Sequence, residues 1–292
     1  MLNSADLCII IPTFNRKKQL SVFNIVVVVD GSTDGTIELL ESEFPEVIIV
    51  KGSGNWWFTR SLNEGCKYAV DVLNAKLILT INDDVQLPDT YLQKIMDNYA
   101  ECGPNSIIGA SSYSASKPSV ITFSGIRRKS PWTLKHYKYI NSYVPKEPGD
   151  LKGIAPSVTL PTRGTLFPAK VLKDLNYLDE KYFPQYASDH DVVFRAAKKG
   201  VNVFVSYDAY VFEHLELTSS GNPRLTKSLS QFLKNIFFNK YSSNYFFKDV
   251  RMAWRHGIKL LFPFYVIRIF IAIPYIYVKY KFVVNKKMQP TN

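Results

Sequence analysis

Two acidic clusters in this 292-residue sequence have the residue types and the setting for chemistry. The first, Asn82-Asp83-Asp84, ends the apolar run Leu77-Ile-Leu-Thr-Ile81 and precedes a helical pattern through Tyr91, Leu92, Ile95 and Met96. Such a run reads as a strand buried on both faces, and ligands of open parallel sheets bind beyond the carboxyl ends of the strands. Adjacent carboxylates repel and raise each other's pKa unless a cation lies between them. A hard divalent ion takes one or two carboxylates and completes its shell with water and substrate phosphates. The pair suits either a metal–phosphate site or a solvated loop in which Asp83 caps the next helix. In the second cluster, Ser188-Asp189-His190-Asp191, Ser188 reads as a helix N-cap and Asp191 stands in for Glu in a capping box. Both acids also favour the positive end of the helix dipole, and a carboxylate on that first turn is well placed to face a cleft.

The elements that must position these groups alternate. Leu7–Ile11 is a buried strand broken by Pro12, and Asn24–Val29 is a second strand ending at Asp30-Gly-Ser-Thr-Asp-Gly-Thr36, before a helix. Val47–Val50 is a third, followed by a Gly-rich turn with Trp56 and Trp57, one expected in the core and the other free to stack on a sugar or base. Ser61–Leu73 is amphipathic at helical spacing. This alternation predicts an α/β fold with a largely parallel sheet. Arg60 suits a diphosphate contact or a surface ion pair. Ser111–Lys152 dissolves into Ser, Lys, Tyr and Pro, and an irregular stretch that long is usually functional or mobile. The first crossover, Asn15–Phe23, is short for a parallel connection, which normally needs about 10–12 residues or more. It predicts a sheet face lacking its helix: apolar surface covered by a partner or membrane, or a weakened activity.

In order and spacing, Ile11-Pro-Thr-Phe-Asn-Arg16, Asp30-Gly-Ser-Thr-Asp-Gly-Thr36, Asn63-x-Gly65, Asn82-Asp-Asp84, Arg163-Gly-Thr-Leu166, Leu178-Asp-Glu-x-Tyr-Phe183 and Ser188-Asp-His-Asp with Arg195 resemble the family-2 glycosyltransferases of the GT-A fold. The resemblance covers about residues 7–215. It implies that Thr13, Phe14, Arg16, Asp30 and Asp34 hold the nucleotide of a sugar donor, with Arg60, Asn82 and Asp83 beside them. It also implies a divalent cation, Mg or Mn, on Asp84 and Asp83, with His214 as a further ligand. Asn82 stands where many relatives have Asp; a neutral amide still accepts from a ribose hydroxyl. Asp189 is the implied general base, ahead of Asp191, in an inverting transfer from nucleotide-sugar to a saccharide acceptor, lipid-linked, in surface-polysaccharide synthesis. The alternative is a catalytically impaired homologue that binds membrane or a partner.

Composition restricts the rivals. Cys8, Cys66 and Cys102 are odd in number and scattered, which argues for a reducing compartment and against disulfides or a thiolate metal site. No basic region precedes the first apolar run, so no signal peptide is expected. No GxGxxG follows the first strand, which argues against a dinucleotide-dependent oxidoreductase. Of the chain's net +11, residues 217–292 carry +12 (thirteen Lys/Arg against Asp249) and residues 1–216 carry −1. That separation is unlike a nucleic-acid binder. It predicts a GT-A-like domain at 1–216 and a basic, aromatic-rich helical extension at 217–292. Within Leu260–Val278, twelve Leu, Ile, Val and Phe give about −5 kcal/mol for insertion and Arg268 takes back about 3. Spanning is marginal on those figures. Helices lying on the cytoplasmic leaflet fit better, since each basic residue near anionic lipid contributes about 1 kcal/mol. The protein is therefore expected at the inner face of the cell membrane.

Overall fold

The computed structural model describes residues 6–13, 24–215 and 228–287. Strands β1 (Leu7–Thr13) and β2 (Asn24–Val29) pair in parallel, Cys8 opposite Asn24 and Thr13 opposite Val29. The chain continues through α1 (Thr36–Glu43), β3 (Ile48–Lys51), α2 (Trp57–Asp71), β4 (Leu77–Thr80), β5 (Val85–Gln86) and α3 (Tyr91–Cys102). Strands β6 (Ser106–Ser114), β7 (Val120–Phe123), β8 (Ile126–Lys129), β9 (His136–Lys138), β10 (Val144–Pro145), β11 (Ile154–Pro156) and β12 (Thr165–Pro168) follow. Then come α4 (Ala169–Asp174), α5 (Ser188–Lys198), β13 (Asn202–Glu213), α6 (Leu229–Phe237), α7 (Phe246–His256) and α8 (Phe262–Lys287).

The main sheet runs β10-β7-β6-β12-β4-β1-β2-β3, with β13 parallel to β6 and carrying β5 and β11 on its antiparallel side. Its β3-β2-β1-β4 half is wholly parallel, and β12 enters antiparallel between β4 and β6. Alternate residues of the apolar strands feed two cores, as a two-residue period requires. Ile10, Val26 and Val28 pack with Leu62, Cys66 and Ala69 of α2, while Ile9, Ile25 and Val27 pack with Leu40, Tyr91 and Ile95. Gly65 sets the approach of α2 to the sheet: a Cβ there would lie 2.5 Å from Cγ2 of Ile10 and 2.9 Å from Cγ2 of Val28.

The short crossover does not prevent the parallel pairing of β1 and β2. Its residues 14–23 lie outside the described ones, and with them Phe14 and Arg16. Over the face of β1 and β2 between α1 and α3 lies a trough of about 730 Å³, lined by Ile9, Ile11, Ile25, Val27, Leu40 and Leu92. Ile9, Ile11, Ile25 and Val27 are at most 8% exposed, so these strand residues do not form the exposed apolar surface that the short crossover predicts.

Ser111–Lys152 is not irregular. It holds the end of β6 and all of β7 to β10, strands of two to four residues after β6. Segments that short show no readable period. At the other end, the expected boundary near 216 falls among residues 216–227, outside the described ones. The helical stretch Lys259–Val278, a short turn followed by most of α8, is long and apolar enough, by length and composition, to cross a membrane. Phe264, Ile267, Phe270, Ile271 and Tyr275 lie exposed along it, while buried Tyr265 donates to the Pro131 carbonyl and Arg268 to that of Thr133.

Candidate active site

The carboxyl ends of the parallel strands open on a cavity of about 500 Å³, walled by Thr13 at the end of β1, Asp30 after β2, and Asp83 after β4. Three backbone N–H groups converge on Asp30: Gly54 and Trp56 donate at 2.6 and 2.7 Å, Trp57 at 3.0 Å. A Cβ on Gly31 would lie 2.5 Å from Cα of Gly54, so only glycine lets these two turns meet. Trp57, whose N–H donates to Asp30, has φ +59°, a left-handed conformation that is costly for an aromatic residue. Trp56 packs against the core. Trp57 stacks on Tyr241, ring centroids 3.8 Å apart, and both rings line the cavity. Arg60 lies over the Trp56 ring at 5.3 Å. Asp34 accepts from the backbone and hydroxyl of Thr36, 3.2 and 2.5 Å, which places it at the start of α1 outside this cavity's walls.

Thr13 donates to Oδ2 of Asp83 at 3.2 Å. Asn82 sits on the trough side of the same turn, and Asp83 lines both recesses. The backbone joins Asp84 to His214, whose N–H donates to the Asp84 carbonyl at 2.8 Å, because β5 pairs with the end of β13. Glu213, just before it, is buried with Arg163 at 3.0 Å and Thr122 at 2.9 Å, which accounts for Arg163 in its motif. Among the described residues no three His, Cys, Asp or Glu side chains gather as metal ligands, so Asp83, Asp84 and His214 do not form the expected three-ligand cluster. Fewer than three protein ligands is a set suited to a hard cation that takes its remaining oxygens from water and a diphosphate.

The second acidic cluster differs from its predicted cap. The N-cap of α5 is Ala187, at φ +73°, not Ser188. Ser188 lies inside the helix, where its hydroxyl accepts from Thr59 at 2.8 Å and ties α5 to α2. Asp191 is fully buried and its oxygens are engaged by Nε of Arg195 (2.7 Å), Nη1 of Arg255 (2.9 Å) and Nε2 of His256 (2.8 Å). Burial alone pushes the Asp191 pKa up, but the His256 bond and the Arg195 and Arg255 charges outweigh it and hold it below the ordinary carboxylate value. A carboxylate so bound is a poor proton acceptor. Asp189 is half-buried, lines neither this cavity nor the next, and accepts from the adjacent His190 N–H at 2.7 Å. Its segment divides two cavities. Gln185 and Tyr186 line the first, while Ala187 and His190 line another of about 410 Å³.

The tail supplies residues that the motifs did not reveal. Asn235, Asn239 and Tyr241 line the first cavity, and Arg255 and His256 reach Asp191. The one signal in the sequence is Asp191 itself, which adjoins the apolar Val192-Val-Phe194, because a carboxylate buried beside such a run demands cations.

The family model for glycosyl transferase family 2 matches residues 8–154, half of the chain, and takes in the strand-end residues Thr13, Asp30 and Asp83. The chain belongs to glycosyl transferase family 2. A solved structure of S. aureus TarS, residues 1–349, superposes with a TM-score of 0.50 at 17% identity, covering 92% of this chain and 80% of that one. GalNAc-T7, solved with UDP, GalNAc and Mn²⁺, superposes with a TM-score of 0.53 at 10% identity, covering 85% of this chain. The match spans half of that protein's length. At such identities the likeness is one of fold, the GT-A fold. A search of curated protein sequences gave no match. In this family-2 glycosyltransferase, strands β1 (from Cys8) to β4 lie within the stretch that the family model covers, and the helix of Asp189 lies beyond it.

Proposed function

We propose that the protein is an inverting glycosyltransferase that moves a sugar from a nucleotide donor to a saccharide acceptor at the membrane surface, in cell-surface polysaccharide synthesis. One observation carries this reading: Asp30 and Asp83 share a cavity with Gln185 and Tyr186, the residues that lead into the helix of Asp189. The donor nucleotide lies over Thr13, Asp30 and Asp83, with the Trp57–Tyr241 stack as an aromatic wall. A divalent cation bound at Asp84, with Asp83 or His214, would neutralise the diphosphate as it leaves. Asp189 removes the proton from an acceptor hydroxyl. That oxygen bonds to the anomeric carbon from the face opposite the diphosphate, the bond to the phosphate oxygen breaks, and configuration inverts without a covalent enzyme intermediate. Positioned bases of this kind contribute about 10²–10⁴ in rate.

The exposed apolar residues of α8 and the +12 charge of residues 217–292 support a peripheral position on an anionic, cytoplasmic leaflet. A panel of nucleotide sugars, with and without Mn²⁺, read by thermal shift and donor hydrolysis, tests the proposal. Stabilisation and turnover by at least one sugar nucleotide is expected. The ten-residue crossover and the trough beside it favour a second reading, an impaired homologue that binds membrane or a partner enzyme. Absence of both binding and turnover across the panel would select it.

A further inference from the structure

The near-neutral charge of residues 1–216 hides one concentrated basic patch. The hairpin of β8 and β9 carries five Lys and Arg and no acid over residues 126–138. Arg127, Arg128 and Lys135 are exposed. The last two sit 4.6 and 5.4 Å from the centre of the same Tyr137 ring. Among the described residues none of the three pairs with a carboxylate. In the turn between the strands, Trp132 is 65% exposed.

Helix α8 lies flat against this hairpin. The carbonyls of Pro131 and Thr133, on either side of Trp132, accept from Tyr265 and Arg268, and Leu134 shares a cavity with Ile269, Ala272 and Ile276. The α8 residues in these contacts recur every three or four positions and make one face, held to the protein over three turns. Leu260, Phe264, Ile267, Ile271 and Tyr275 recur at the same spacing on another face and are 50–88% exposed. At the start of the helix the half-exposed Trp254 packs edge-on to Phe262. A contiguous apolar stripe of this kind marks an interaction surface. Nucleic acid would neutralise the cations and leave the stripe bare, and a second copy of the chain would bring like charges together. An anionic bilayer satisfies both, since Trp favours the headgroup level and basic residues are drawn to its negative surface.

We propose that the β8–β9 hairpin is a membrane-docking element, joined with α8 in one surface that fits an anionic phospholipid bilayer. Trp132 enters the headgroup layer, and Arg127, Arg128 and Lys135 pair with the anionic headgroups. The outward stripe of α8 rests beside them, parallel to the bilayer plane. A helix held along three turns to the globular domain meets the bilayer from the side and does not cross it. This rests on the peripheral position proposed above and goes beyond it: the catalytic domain has an anchor of its own, outside the basic tail, which fixes the side it turns to the lipid.

The test uses the full chain and co-sedimentation with vesicles of phosphatidylcholine alone or mixed with phosphatidylglycerol. Tighter binding to the mixed vesicles is expected. Replacing Arg127, Arg128 and Lys135 by Gln should weaken it by about fivefold for each cation, about a hundredfold together. Trp132→Ala should weaken it as well and remove part of the fluorescence quenching by brominated lipid. A melting curve checks that each variant is folded, and donor hydrolysis without vesicles should be unchanged. Ile267→Glu with Ile271→Glu probes α8 separately. Wild-type affinity in both hairpin variants, with binding lost only in the α8 variant, overturns the proposal and leaves the peripheral position standing. Binding to neither vesicle overturns both. Resistance of the bound protein to alkaline carbonate would show a spanning helix and overturn the lateral docking. Vesicle binding as expected, with no donor turnover, would count against the transferase reading alone.

Discussion

Nη1 of Arg255 lies 2.9 Å from Oδ1 of Asp191, across 64 residues of sequence, and its Nη2 lies 2.7 Å from Asp179. One guanidinium thus fastens the last part of the chain to the first turn of α5 and to the loop before it. The basic tail is a structural partner of the helix that presents Asp189. Removing Arg255 leaves Asp191 buried with Arg195 and His256 alone. Arg255→Ala should therefore lower stability by about 1–3 kcal/mol, the usual loss for a charged hydrogen bond, as read by urea denaturation. Arg255→Lys, which cannot bridge both carboxylates, should fall between. Turnover should drop more than donor affinity in both variants, since Arg255 does not line the cavity proposed for the donor.

Asp189→Asn should reduce transfer by about 10²–10⁴ and leave donor binding within twofold. Asp191→Asn should instead show itself first in stability, because it removes the buried charge that Arg195 and Arg255 pair with and His256 donates to. Paired kinetic and melting measurements separate the two carboxylates. Full transfer activity in Asp189→Asn would eliminate it as the base.

Acid should loosen the protein in two windows. Burial, with the charges of His190, Lys129 and Lys138, pulls the His136 pKa from its ordinary 6.5 down to about 4. The unfolded chain binds this proton more readily, so the His136 contribution is whole above pH 6.5 and is lost as pH falls toward 4. Asp191 behaves as a depressed carboxylate, with its contribution present above the ordinary value of 3.8 and lost at still lower pH. Denaturation midpoints between pH 4 and 6.5 should slope upward with pH, and His136→Gln should flatten that slope.

Gly65→Ala should be unusually costly for so small a change. Its methyl group would meet branched side chains of both β1 and β2 at under 3 Å, and overpacking of this kind costs about 1–3 kcal/mol. Because α2 also carries Thr59 and Asn63, which bond to Ser188 and to the backbone of Leu178, donor-independent melting is the cleanest readout.

The parallel half of the sheet was legible because Ile9-Ile-Ile11, Ile25 to Val29 and Leu77 to Leu79 are buried on both faces and so read as unbroken apolar runs. The strand-end acids were legible for the same reason, since chain direction fixes where Asp30 and Asp83 emerge. The helix of Asp189 was found, but its cap was misread: Ala187 takes the left-handed turn and frees Ser188 to bond across to Thr59, a contact that no local pattern encodes. The short strands β7 to β10 left no period to read. Least visible was the seam between Asp191 and Arg255-His256, because a side-chain pair so distant in sequence leaves no trace in either segment.

The stack of Trp57 on Tyr241 bears on how this enzyme can be handled. Trimming the greasy C-terminus to gain solubility is a natural step in purification. A truncation before Leu229 would remove Asn235, Asn239 and Tyr241 from the wall of the cavity proposed for the donor. Failure of such a shortened protein to retain a nucleotide would report the loss of that wall, so affinity is to be measured on a chain that keeps these residues.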